Sequence, residues 1–428
     1  MKNRASILGL LVIASAFFSH SLSFFGVEGW SLLDFILPVV FGLYVIILIV
    51  NKKLSYSLSY LSLIPLAMLF IVTIHILTDP RLNEIVQALE GTSIPTGGLR
   101  IYFSIFISIL LYYTVPMVIR EKEHINKFIK IYLGLVLFQI IFSYFRMAMG
   151  IHHLPWDSYG SQILAFDPHS YWGSGTRLIL LGDMGIHLFV FALILMEAGR
   201  WRNLLIGLSV LSIYVSKGRA PIFSIILVLL IYLIIKKKHL FLTIGISTAV
   251  IAILIFFRFH PSTLNKLPAG PKRILSVLST ENPSYLTGTF TRMEMWKIQG
   301  YIIKNNPLWG SVNDFPYYSD PRAKKAVQIG DTHSVYLGLA AVFGIPMLLF
   351  WLIFVAGRIK RLCLIWTQSN EDSQFHRVAL WLFLILVAYL FNYLTGGGAA
   401  GGYHDAYVFF ALVDVTFKHY IETKAGVV

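Results

Sequence analysis

Long apolar runs alternate with short basic or longer polar stretches along the whole chain. The runs fall near 5–24, 31–50, 58–77, 101–119, 128–147, 177–196, 203–216, 221–235, 240–258, 334–356, 378–395 and 404–420. A helix that crosses a bilayer needs about 20 predominantly apolar residues. The pattern therefore predicts an all-α polytopic membrane protein with about 12 transmembrane helices. Pro38, Pro65, Asp183 and His187 interrupt individual runs, and neighbouring helices must then cover the exposed polar groups. The short runs at 203–216 and 221–235 meet at Ser216-Lys217-Gly218-Arg219, and read either as a hairpin or as one broken pair.

This pattern divides the chain into an N-terminal membrane bundle of about nine spans (1–258), one large loop (259–333) and the C-terminal spans (334–428). The first run keeps Ala14-Ser15-Ala16 inside its apolar stretch, so it reads as a span rather than a cleaved signal. Composition agrees. The chain is 57% hydrophobic and 13% charged, far from the roughly 25% charged residues of a soluble domain. A soluble enzyme and a disordered chain are both excluded.

The formal charge of +14 would suggest a nucleic-acid partner in a soluble protein. In a polytopic chain it reads as basic residues gathered on the cytoplasmic side, and no nucleic acid is expected. The short loops at Lys2/Arg4, Lys52-Lys53, Arg120 to Lys130, Arg200/Arg202, Lys236 to Lys238, Arg358 to Arg361 and Lys418/Lys424 carry that signal. They place both termini in the cytoplasm, and the polar segments 78–100, 148–176 and 259–333 on the opposite face. Cys363 is the single cysteine, so no internal disulfide forms.

Chemistry then belongs to the outer face. In Ser216-Lys217-Gly218-Arg219-Ala220-Pro221, Gly218 permits close backbone approach and Pro221 suits a first helical turn. A guanidinium there grips phosphate bidentately, although both cations also suit an interface where they snorkel. Residues 288–297 read as the start of a short amphipathic surface helix, with Trp296 at headgroup level and Arg292 in its first turn. A cation near a helix start is awkward unless an anion lies beside it. His333 follows Asp331 directly before the run at Val335, and its side chain suits proton transfer near neutrality. Arg177 opens a run on the outer side, and Asp183 and His187 lie one turn apart within it. They read as functional groups or as helix-packing hydrogen bonds. Gly396 to Gly402, followed by His404 and Asp405, forms another outer turn with anion-binding potential. No metal-ligand spacing stands out, so neither a metal nor another cofactor is expected.

Taken in order, these segments resemble the bacterial O-antigen polymerase and O-antigen ligase superfamily. The resemblance rests on Ser216-Lys217-Gly218-Arg219, on Arg292 before Trp296, on Asn306-Pro307-Leu308-Trp309-Gly310, on His333-Ser334-Val335-Tyr336-Leu337 and on Gly344-Ile345-Pro346. It covers roughly 200–356. Lys217 stands where the family often has Arg, and the Gly-rich stretch after Pro307 is shortened.

The resemblance implies a metal-independent, GT-C-like membrane glycosyltransferase of the bacterial inner membrane, with its active site facing the periplasm. Its donor would be a glycan on undecaprenyl diphosphate. Its acceptor would be a second lipid-linked glycan (polymerase) or lipid A–core (ligase), and a chain-length regulator is a conceivable partner. Arg219, Arg292 and His333 would be the catalytic set. Lys217, Arg177, Asp331, Glu294, Tyr336, His404 and Asp405 are further candidates for holding diphosphate or glycan. The polymerase reading is favoured over the ligase. A secondary transporter is the alternative from another class, but paired half-repeats of the kind many transporters show are not visible.

Overall fold

The computed structural model describes residues 32–50, 63–78, 97–119, 121–151, 164–166, 175–177, 179–216, 219–236, 295–311, 334–371, 373–395 and 404–426, with Ile13 and scattered positions between 245 and 263. Apart from one small ladder, these residues are helical. The helices are α1 (Leu32–Val50), α2 (Leu63–Thr78), α3 (Gly97–Val118), α4 (Lys122–Ala148), α5 (Ile179–Leu195), α6 (Arg200–Ser216) and α7 (Arg219–Lys236). After them come α8 (295–305), α9 (Val335–Phe343), α10 (Ile345–Gln368), α11 (Gln374–Thr395) and α12 (His404–Lys424). Two strands, β1 (Leu164–Phe166) and β2 (Gly175–Arg177), pair antiparallel ahead of α5. The all-helical expectation is thus corrected locally. Arg177 closes a strand instead of opening the sixth run, and pairs across the ladder with Leu164.

Two described helices, Lys122–Ala148 and Gln374–Leu394, are long and apolar enough to cross a membrane, and Leu63–Thr78, Tyr102–Val118, Leu181–Leu195 and Ala220–Lys236 are shorter apolar helices. The runs expected at 5–24 and 240–258 lie outside the described residues except at isolated positions. Large apolar side chains such as Phe138, Ile141 and Phe145 of α4 and Leu349 and Ile353 of α10 face outward. A water-soluble domain would bury such faces, whereas hydrocarbon solvates them.

Inside the bundle, Tyr102, Phe128, Tyr132, Trp351, Phe354, Trp381, Phe409 and Phe410 form a continuous core across α3, α4, α10, α11 and α12. Small residues bring backbones together, as expected where lipid supplies little hydrophobic drive for helix association. A Cβ on Gly182 would stand 2.6 Å from Ser216 Oγ and 2.7 Å from Pro221 Cγ, and one on Gly185 would stand 2.7 Å from Ile213 Cγ1. These contacts pack α5 antiparallel against α6. The chain therefore makes two separate helices across 203–235, and Ser216 at the end of one and Pro221 near the start of the other both lie against Gly182 of α5.

Side-chain pairs fix the sense of the remaining helices. Ser224 near the start of α7 meets Asn392 near the end of α11, while Lys236 at the end of α7 meets Glu371 just before α11. One end of the bundle therefore gathers Lys122, Lys236, Glu371 and Gln374, and the other gathers the starts of α5, α7 and α12.

The run at 334–356 is not one span. Gly344 has a φ of 85°, and α9 and α10 meet there. Tyr336 and Trp351 lie on either side of this joint, yet their rings are edge-on at 5.3 Å. A straight helix would hold them about 22 Å apart. The short α9 consequently folds back along α10, and its first residue lies within the bundle beside α11. Pro346 fits the first turn of α10 because its missing N–H has no partner to lose there.

Arg358 also departs from expectation. Sequence reading assigned it to a cytoplasmic loop, but α10 runs on to Gln368 and buries it completely. It donates to Asp414 Oδ2 at 2.8 Å, and to Tyr112 Oη and the Phe354 carbonyl. Arg361 pairs with the second oxygen of Asp414. Desolvated charges persist only when paired and hydrogen-bonded, and Asp414 with Tyr112 supplies that compensation.

Candidate active site

Three helix starts and one helix end converge at the end of the bundle opposite Lys236. α7 opens with Arg219. Five residues later Ser224 donates to Asn392 Oδ1 at 2.7 Å. α9 opens after Ser334, whose hydroxyl accepts from the Leu337 N–H and caps the helix. Two residues after that cap, Tyr336 donates to the Leu390 carbonyl at 3.0 Å. α12 opens at His404, and the buried Asp405 accepts from the Tyr389 hydroxyl. Tyr389, Leu390 and Asn392 all belong to the last two turns of α11. This helix end is the hub that ties the Arg219 helix, the helix behind His333 and the Asp405 helix to one place.

The hub continues inward as a chain of hydrogen bonds. With Asp405 ionised, the Tyr389 proton points at the carboxylate, so the Tyr389 oxygen accepts from His187 Nε2–H at 3.0 Å. His187 Nδ1 then accepts from Tyr132. Each donor in the series faces toward Asp405. The rings of Tyr132, Tyr389 and Phe409 enclose His187 at 5.8, 5.3 and 5.8 Å. Sequence reading singled out His187 and Asp405 but not their link, and it missed Tyr132 and Tyr389. Their one available signal is a phenol inside an apolar run, which ordinarily needs a partner when buried.

Next to α9, helix α8 packs Met295, Ile298 and Ile302 around Ala341. The Asn306-Pro307-Leu308-Trp309-Gly310 segment then docks on the α9–α10 joint through backbone hydrogen bonds. Ile345 N–H donates to the Pro307 carbonyl at 2.7 Å, and Ser311 N–H to the Ala341 carbonyl at 2.8 Å. Both glycines are demanded. Gly310 has a φ of 68°, and a Cβ there would meet Val342 and Ala341 backbone at about 2.5 Å. A Cβ on Gly344 would meet the Leu308 oxygen at 2.2 Å. His75, near the end of α2, seals the joint by hydrogen-bonding the Trp309 carbonyl at 2.9 Å. Sequence reading did not single out His75.

Of the sequence-derived candidates, Tyr336 and Asp405 are placed with their side chains, at the hub. Arg219 and His404 are placed as the first residues of α7 and α12, and Arg177 as the last of β2. Lys217, Arg292, Glu294, Asp331 and His333 lie outside the described residues. Their neighbours in sequence are fixed: Ser216 against α5, Met295 against Ala341, and the buried Ser334 at the start of α9.

Residues 204–352 match the family model described as O-antigen ligase. Over these residues the chain is similar to the O-antigen ligase family. The matched stretch spans most of α6, all of α7, α8 and α9, and the first turns of α10, which coincides with the 200–356 stretch where the motifs stand. The resemblance to the O-antigen polymerase and ligase superfamily thereby holds over this segment. Members of this family are membrane-embedded, glycosyltransferase-like enzymes connected with O-antigen and lipopolysaccharide biosynthesis. No curated protein matches the chain at a significant level. The two features of the segment that most constrain its shape, the Gly310–Gly344 joint and the Ser224 and Tyr336 contacts to α11, all fall inside or directly against the matched residues.

Proposed function

We propose that this protein is an inner-membrane glycosyltransferase. On the periplasmic face it polymerises oligosaccharide repeat units carried on undecaprenyl diphosphate into O-antigen or a related surface polysaccharide. The observation that carries the proposal is the convergence on the end of α11 of the helix headed by Arg219 and the helix that follows His333, within a segment matching the O-antigen ligase family.

In this reading the acceptor hydroxyl attacks the anomeric carbon of the donor glycan. The new C–O bond forms as the bond from that carbon to the phosphate oxygen breaks, and undecaprenyl diphosphate leaves with the electron pair. Negative charge then grows on the diphosphate. Arg219, at the positive end of α7, and Arg292 neutralise it through fixed forks. His333 takes the hydroxyl proton. Lys217, Arg177, Asp331, Glu294, Tyr336, His404 and Asp405 hold the diphosphate or the glycan around this centre. No metal is required, because the guanidinium groups take the role a cation would have.

Transfer of the finished glycan to lipid A–core is the second reading, favoured by the description of the matching family model. A deletion strain separates the two. Surface lipid capped with a single repeat unit indicates the polymerase. Full-length chains retained on undecaprenyl diphosphate indicate the ligase. Wild-type surface glycan in the deletion strain overturns both. Within either reading, Arg219→Lys and Arg292→Lys lose most activity while the protein still inserts, since an ammonium cannot reproduce a bidentate grip. Unchanged glycan from both variants removes the diphosphate role.

A further inference from the structure

Both faces of α8 are specialised. Met295, Ile298, Gln299 and Ile302 are buried, and the three apolar ones close around Ala341 of α9. Lys297, Tyr301 and Lys304 follow a different stripe. They stand at i, i+4 and i+7, within about 60° of one another at 100° per residue, and roughly 150° round the helix from the buried set. All three are exposed. From Met295 to Ser311 the chain holds these two lysines and no Asp or Glu. Trp296, expected at headgroup level, lies about 100° off this stripe, and its indole nitrogen is buried.

The same segment ends in an apolar tip. Leu308 is 74% exposed and Trp309 48%. Trp309 stacks on His75 at 4.5 Å, two residues before Leu77, which faces outward from α2. The Pro307 carbonyl accepts the Ile345 N–H at 2.7 Å, and Ile345, Leu349 and Ile353 form the outward apolar face of α10. Leu308 and Trp309 therefore stand level with the last lipid-facing side chains of two helices. Exposed apolar groups placed together mark an interaction surface. Aromatic rings at such a level mark the membrane–water interface. Lysines just beyond them reach the headgroups, with their stems along apolar surface. Two cations on a face without a carboxylate complement phosphate.

We propose that the exposed stripe of α8 and the Leu308–Trp309 tip dock on the lipid leaflet at this end of the bundle. Leu308 enters the hydrocarbon edge, and Lys297 and Lys304 meet the phosphates of anionic phospholipids. α8 is thereby held between two partners, α9 on one face and headgroups on the other. The docking is independent of the reaction and of which side of the membrane this end faces.

A reporter beside the stripe tests this in the full-length protein in lipid nanodiscs. Asn305, exposed at the end of α8, is changed to Cys in a Cys363→Ser background and labelled with bimane. Phospholipids spin-labelled near the top of the acyl chain quench it on contact. They are supplied at equal mole fraction with either a phosphoglycerol or a phosphocholine headgroup. In the parent both lipids quench, and the anionic one is preferred by about fivefold or more in apparent association, the scale of one lysine at a charged surface. The Lys297→Gln, Lys304→Gln double variant loses that preference and keeps the phosphocholine quenching. Both side chains are exposed, so its melting temperature stays that of the parent. In Leu308→Ser, quenching by both lipids falls by about half or more, because the apolar tip no longer anchors the segment.

An unquenched label in the parent puts the segment away from the bilayer and overturns the proposal. An equal anionic preference in parent and lysine variant overturns it as well, and so does unchanged quenching in Leu308→Ser. Relief of the anionic quenching by millimolar inorganic phosphate at constant ionic strength would mark a soluble-anion site in place of a membrane surface, and also overturns it. None of these readouts uses turnover, so failure here is distinct from failure of the glycosyltransferase reading.

Discussion

The Tyr336 hydroxyl reaches the Leu390 carbonyl at 3.0 Å, and this bond joins the helix behind His333 to the end of α11. Leu390 precedes by two residues the Asn392 that receives Ser224 from the Arg219 helix. Two segments more than a hundred residues apart in sequence are thus referenced to neighbouring positions on one helix. Several consequences can be measured.

Tyr336→Phe keeps the ring against Trp351 and removes only the donor. A single hydrogen bond of this kind contributes about 0.5–1.5 kcal/mol, so stability falls little. Turnover should fall more than stability, because α9 is freed to shift relative to α11. Thermal unfolding in detergent and glycan assembly on the same preparation compare the two, and equal turnover in parent and variant refutes the positional role of this bond.

Asp414→Asn removes the carboxylate that the buried Arg358 and its neighbour Arg361 share. Removing one member of a buried ion pair typically costs about 3–5 kcal/mol. A marked loss of melting temperature and of folded yield is expected, and the Asp414→Asn, Arg358→Met double variant should recover part of it. A single variant as stable as the parent means that the cluster is not a stability element.

Gly344→Ala meets two obstacles, the positive φ and the Leu308 carbonyl 2.2 Å from the new Cβ. Strain of this type costs about 1–3 kcal/mol, and the 306–311 segment should undock to relieve it. Protease sensitivity near Trp309, with the bundle still intact, is the expected signature. A resistant segment contradicts the tight-joint geometry.

His333→Gln tests the proposed role of His333 as proton acceptor. General-base contributions are about 10²–10⁴-fold in rate, so turnover should drop by something in that range while donor binding persists. For the parent, an imidazolium cannot accept a proton, so kcat should decline as pH falls through the ordinary histidine range. A decline as pH rises instead would mean that His333 works as a cation on the phosphate. Full turnover with an unchanged profile in His333→Gln removes both roles.

The linear sequence determined a good deal. Apolar periodicity is a local property, so the long helices could be read directly from composition and run length. The ordered motifs across roughly 200–356, among them Asn306 to Gly310 and Gly344-Ile345-Pro346, were legible as well, because short motifs are read from residue type and spacing alone. His187 also drew notice, because an ionisable group inside an apolar run is costly and calls for a partner, while Asp405 stood out only as part of the turn that follows the glycine-rich stretch at 396–402.

Who that partner is, however, was decided only by the tertiary structure. Tyr389 joins Asp405 to His187, and Tyr132 continues the series from a helix more than fifty residues earlier. Hydrophobicity alone made 334–356 one span, since α9 and α10 are equally apolar. The fold-back follows from the docking of 307–311 on the joint, which is a contact between distant segments. Arg358 looked like a loop cation for a similar reason. Its charge said cytoplasm, and only the placement of Asp414 on α12 and Tyr112 on α3 stabilises it inside the bundle. His75 carried no local signal at all: a histidine gains its meaning from the two carbonyls it faces, and one of them lies 234 residues away. Local chemistry sets which residues need partners, and long-range packing chooses them.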